Sequence, residues 1–147
     1  MMRRAVLLSV LLVLTALSCR EPASLERFIR GEGPYEFTVD MQEGRAYSFD
    51  LYTRIDAPAD EMASLVDLPL RVEWRSPSDS VFRETVYLPL SGTDSFFSRT
   101  VYHPYREGMV PREPGVWTLR FTAPATIPHR GLGLVVRRDE PAVEPDK

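Results

Sequence analysis

An apolar period of two runs through this chain from residue 35 to residue 136 and constrains its fold more than any other feature. Tyr35, Phe37, Val39 and Met41 alternate with Glu36, Thr38 and Asp40. Tyr47, Phe49, Leu51 and Thr53 alternate with Ser48, Asp50, Tyr52 and Arg54, and Leu68, Leu70, Val72 and Trp74 with Pro69, Arg71, Glu73 and Arg75. Phe82, Val86, Leu88 and Leu90 share one parity, as do Trp117, Leu119 and Phe121, then Leu132, Leu134 and Val136; a weaker run covers Phe97 to Tyr102. Successive side chains of a strand point to opposite faces, so each run buries one face and wets the other. Helical spacing is confined to Ala59–Val66, with Met62, Leu65 and Val66 on one side.

Turn residues separate the runs at Glu43-Gly44, Ser76-Pro77-Ser78-Asp79, Ser91-Gly92-Thr93-Asp94, Glu113-Pro114-Gly115 and Arg130-Gly131. About seven short antiparallel strands with such punctuation predict a single all-β domain, a β-sandwich of jelly-roll-like type, with a closed barrel as second choice. Pro69 and Pro89 cannot donate to a ladder, so those positions belong to edges, strand starts or bulges.

The N-terminus says where the protein lives. Arg3 and Arg4 precede an almost unbroken apolar run from Ala5 to Leu17, the layout of a secretory signal. That run is shorter than the ~20 residues that span a bilayer. It ends in Ala16-Leu17-Ser18-Cys19, which reads as a bacterial lipobox. Residues 1–18 are then the signal peptide, and Cys19, the only cysteine, receives the diacylglycerol thioether and an acylated α-amine. Each buried CH₂ of such chains contributes roughly 0.8 kcal/mol of membrane affinity. Arg20 stands where some bacteria place an inner-membrane retention Asp, which favours the outer membrane, at its periplasmic face or the cell surface.

Residues 19–33 read as lipidated cysteine and tether, because they are charged and carry Pro22, Gly31 and Gly33. Ser24–Arg30 within them is left as one helical turn or extended chain. The domain covers residues 34–138, and residues 139–147 (DEPAVEPDK) form a frayed tail. The whole chain carries net charge −3, and loss of Arg3 and Arg4 with the leader makes the remainder more negative still. An acidic balance argues against nucleic-acid binding.

No reaction chemistry is legible. His103 and His129, the two histidines, have no second His or Cys at ligand spacing, and no Gly-x-Ser-x-Gly elbow occurs. The cysteine is committed to lipid, so zinc is not expected. Asp56, Asp60, Glu61 and Asp67 gather along one loop, where oxygen ligands for calcium are conceivable; a solvated charge cluster is the simpler reading, and no metal or cofactor is expected. The chain is read as non-enzymatic. Tyr52, Tyr87, Phe96, Phe97, Tyr102 and Tyr105 do not all fit the core parity. They form the expected interaction surface, centred on Phe96–Tyr105, for a protein partner or, alternatively, a glycan.

The order of motifs resembles a known family. After the lipobox come Tyr35-Glu36-Phe37, Tyr47–Arg54 (YSFDLYTR), Leu68-Pro69-Leu70-Arg71-Val72, and Ser76-Pro77-Ser78-Asp79-Ser80. The chain closes with Trp117-Thr118-Leu119-Arg120-Phe121 and Gly131–Val136. This resembles the gliding-motility-associated lipoproteins of the H type over nearly the whole chain. The resemblance implies a non-enzymatic accessory of the gliding and secretion machinery that works with other cell-envelope proteins. It brings no catalytic residues with it.

Overall fold

Every alternating run forms a strand with its apolar parity turned inward. The structure, a computed structural model, describes residues 24–91, 93–95 and 98–139. Residues 1–23 with Cys19, Phe96, Phe97 and the tail beyond Asp139 lie outside the described residues. The elements are β1 (Ser24–Arg30), β2 (Tyr35–Met41), β3 (Tyr47–Asp56), α1 (Ala59–Ser64), β4 (Asp67–Arg75), β5 (Val81–Pro89), β6 (Thr93–Ser95), β7 (Ser98–Met109), β8 (Gly115–Thr122) and β9 (Gly131–Arg138). Seven of these strands are the seven alternating runs; β1 and the three-residue β6 are additional.

The strands build two antiparallel sheets, ordered β1-β9-β3-β7-β6 and β2-β8-β4-β5. The pairing is nested: β1 with β9, β2 with β8, β3 with β7, β4 with β5. That is the wrapping of a jelly roll, in which the chain folds as a long double ribbon coiled into two facing sheets. The facing sides interdigitate into one core. Phe37 meets Phe121 edge-to-face at 5.9 Å, Phe49 meets Trp74 at 5.2 Å, and Trp74 meets Trp117 at 6.3 Å. Edge-to-face pairs of this kind add about 0.5–1.5 kcal/mol beyond their burial.

The tether is shorter than the expected residues 19–33. Of the two expectations for residues 24–30 the extended one holds, as a paired strand and not a free tether: they pair with β9 from Ser24↔Arg137 to Arg30↔Gly131. The sequence hid this because β1 is an outer strand whose side chains are mostly exposed, with only Phe28 and Ile29 half-buried. Its place is set by the backbone ladder and by the need of β9 for a second neighbour. The folded unit therefore begins ten residues earlier than the expected residue 34. At the other end, Asp139 is tied down: its N–H donates to Ala46 O, and its carboxylate accepts from Ser48 Oγ at 3.0 Å.

α1 forms where helical spacing stood, and Met62 is buried. Val66, expected beside it, lies beyond the helix and is 79% exposed. Both prolines sit where a missing N–H is tolerated. β8 pairs with β4 only from Arg71 onward, so Pro69 has a ladder on one side, and Pro89 is the last residue of β5.

Candidate functional site

The sandwich has two flanks, and only one is closed. At the closed flank β1 passes into β2 through residues 31–34, where Gly31 N–H donates to Arg130 O and Tyr35 Oη to Gly31 O. At the open flank β5 ends one sheet and β7 approaches the end of the other. Among the described residues β6 covers only Ser98–Thr100 of β7, and residues 101–109 have β3 as their sole ladder. The upper half of this flank is plugged. Leu88, Leu90 and Met62 are buried there, and Arg99 reaches across to the carbonyl oxygens of Leu90 and Met62.

The lower half gapes into a cleft of about 410 Å³ lined by Trp74, Phe82, Glu84, Arg106, Met109 and Trp117, with Arg83, Val110, Pro111 and Arg112 completing its wall. Its floor is aromatic and its rim cationic. Cross-strand register explains the lining: Phe82 opposes Trp74 and Glu84 opposes Val72, so both project to the inner face. Glu84 is thus a charge on the apolar parity of β5, between Phe82 and Val86. That break in parity was the one readable sign of this site in the sequence.

The third partner, on the inward parity of Val101 and His103, stands at a β-bulge. Asp50 pairs with Pro104 but Phe49 with Arg106, so Tyr105 is the extra residue and is turned against the core. Trp74 Nε1 donates to Tyr105 Oη at 2.7 Å, and Tyr105 Oη donates to Glu84 Oε1. Arg106 donates to both carboxylate oxygens at 2.7 and 2.8 Å. Burial pushes the Glu84 carboxyl up, but the hydrogen bonds from Arg106 and Tyr105 outweigh it and hold the group below the ordinary carboxylate range. Burial and the Glu84 carboxylate together push the Tyr105 hydroxyl up. Arg112 stands with its guanidinium 5.9 Å from the centre of the Phe82 ring. The cleft offers apolar contact, a fixed carboxylate clamp and a guanidinium at its mouth. These are features of a binding surface.

A second aromatic group crosses the outer face of the five-stranded sheet. Register places Phe28, Gly133, Tyr52 and Tyr102 in one transverse row. Tyr52 leans over Gly133, where a β-carbon would fall 2.1 Å from the ring. The three rings are near parallel, at 5.5 Å and 6.2 Å between centres. Tyr52 Oη donates to Glu26 Oε1 at 2.8 Å and Tyr102 Oη to Asp50 Oδ2 at 2.8 Å, while Arg137 also donates to Asp50. Burial and Glu26 push the Tyr52 hydroxyl up to about 12.

The expected single aromatic surface is therefore divided. Tyr52 and Tyr102 share the outer row, and Tyr102 is 55% exposed. Tyr87 is 61% exposed on the outer face of the other sheet, opposite Pro69. Tyr105 is on the inner side, on the parity of Val101 and His103 and opposite to Tyr102. Phe96 and Phe97 lie outside the described residues. Elsewhere, His129 Nε2 meets Tyr35 Oη at 2.6 Å and its Nδ1 meets Ile127 O at 2.8 Å. Asp56, from the acidic loop, pairs with Arg54 and Arg130. Among the described residues no three His, Cys, Asp or Glu side chains converge.

No family model matches the chain, and no curated protein matches it. Among solved structures it is similar to a crystallised protein from Sulfurospirillum deleyianum, at 9% identity over 82% of this chain and 100% of that one, with a TM-score of 0.38.

Proposed function

We propose that this is a non-enzymatic lipoprotein of the bacterial cell envelope, anchored through Cys19 in the outer membrane, that binds a protein partner at the open flank. The observation that carries the reading is the lower cleft, where an aromatic floor and unpaired strand edges meet a cationic rim. Among the described residues β5 has a free edge over residues 81–88, with no proline until Pro89. An extended segment of a partner can add to such an edge through main-chain hydrogen bonds, placing alternate side chains over Trp74 and Phe82. Lipid anchoring confines domain and partner to one surface and raises their effective concentration, so modest contacts suffice. The resemblance in motif order to the gliding-motility-associated lipoproteins supports a partner from gliding and secretion machinery.

The test is a photo-crosslinking residue introduced at Phe82 or at Tyr102, with recovery from native membranes. A discrete protein adduct at Phe82 and none at Tyr102 supports the reading; adducts at neither, in protein that is correctly folded, refute it.

A second reading rests on the outer row. Near-parallel rings flanked by Glu26, Asp50 and Arg137 suit stacking against pyranose rings with hydroxyl contacts at the side. Retention on insoluble glycans that is abolished by Tyr102→Ala and unaffected by Phe82→Ala would favour it.

A further inference from the structure

We infer that the end of the sandwich where β1 begins is a membrane-contacting face, seated in the interfacial layer of the bilayer that holds the Cys19 lipid. The inference rests on the reading of Cys19 as acylated and adds to it an orientation. Because β1 starts at Ser24, only residues 20–23 separate it from Cys19. Five Cα steps reach at most about 18 Å even when fully extended. A domain beginning at residue 34 would have swung freely; this one is held against the membrane by the end that carries Ser24.

The strand directions define that end. Ser24 lies beside Arg137, and Arg138 beside Tyr47, which pairs with Met109. The β4–β5 turn at residues 76–80 and the start of β8 at Gly115 lie at the same end. Exposed apolar side chains concentrate there. Of the eight large hydrophobic residues that are exposed among those described, Leu25, Val81, Phe82, Val110 and Val116 belong to this end. Val66 is at the opposite end, and Tyr87 and Tyr102 are on the sheet faces. Each exposed Val or Leu is unremarkable alone; five around the one end tied to the lipid need an apolar neighbour. Arg112, over Phe82 and in no ion pair among the described residues, has the amphipathic reach to keep its guanidinium at phosphate level while Val110 and Val116 enter the acyl boundary. The cleft mouth then opens beside the headgroups, within reach of a partner's membrane-proximal segment.

Cys19 is the only cysteine, so once it is acylated a single introduced cysteine takes a label uniquely. Full-length acylated protein carrying Val110→Cys, Val116→Cys or Val66→Cys, labelled with a fluorophore, is reconstituted in phosphatidylcholine–phosphatidylglycerol vesicles containing brominated lipid. Lipid quenching at 110 and 116 is expected to exceed that at 66 by about threefold or more, as for side chains in the interface against side chains in water. Equal quenching at all three positions, or most at 66, overturns the orientation while leaving the anchor intact. Failure of Cys19 to incorporate labelled palmitate overturns both. Unquenched lower positions that crosslink to a protein instead would make this end a protein interface and overturn the lipid contact alone.

Discussion

The two flanks of the sandwich are made of the same kind of strand and end differently. At the closed flank Phe28 packs against Tyr52, Tyr52 is bonded to Glu26, and Gly131 and Gly133 let β1 and the Tyr52 ring approach β9. Every aromatic there is used to hold an outer strand in place. At the open flank Trp74, Tyr105 and Glu84 bind one another, but among the described residues no strand pairs with the outer edge of β5 and Phe82 is left half-exposed. The difference is one of length. β6 has three residues and plugs only the top of a gap that β5 and β7 extend well below. A jelly roll can be well packed at its centre and still present an unfilled edge, and that edge is where binding is cheapest to install.

Four substitutions separate the flanks, in descending order of effect. Trp74→Ala removes a side chain that touches Phe49, Trp117 and Tyr105, and should cost about 3–5 kcal/mol, read by denaturant unfolding. A loss below about 1 kcal/mol would mean the cleft floor is not part of the core. Gly131→Ala puts a β-carbon 2.3 Å from Ile29 O at φ +144°, so β1 must shift; about 1–3 kcal/mol is expected, with faster amide exchange confined to β1 and β9. Glu84→Gln should cost no more than about 1 kcal/mol, because the Arg106 pair is partly solvated. Its signature is instead in pH. The folded carboxyl titrates below its unfolded value, so its contribution is present above the ordinary carboxylate range and is lost as pH falls through the folded value. The stability difference between wild type and Glu84→Gln should therefore shrink on acidification, and a gap that widens would contradict the clamp. Phe82→Ser should leave stability within about 0.5 kcal/mol while abolishing partner capture, since the ring is 45% exposed. Equal loss of both would make Phe82 structural.

Much of the fold was legible because burial in a sheet follows parity. Trp74, Trp117, Phe37 and Phe121 are core residues by alternation alone, and the structure buries all four. The aromatic surface was legible only in part. Tyr52 and Tyr102 break parity on paired strands and do meet. Tyr105 and Tyr102 stand three residues apart, so alternation alone sends them to opposite sides of β7, whereas the bulge that follows at residues 104–106 and brings Arg106 beside Glu84 leaves no mark in the hydrophobic pattern. β1 was missed for a related reason: an exposed outer strand is held by its backbone, which every sequence has.

The sequence by itself determined the seven alternating strands, which face of each is buried, and the aromatic core. Tertiary structure decided which strands stand at edges, that residues 24–30 complete a sheet, that Glu84, Tyr105 and Arg106 converge, and that the cleft lies at the end of the sandwich where β1 begins. The division has one cause. Alternation is a local property, fixed by the geometry of a single strand, whereas edges, bulges and clefts follow from pairings between residues far apart in the chain.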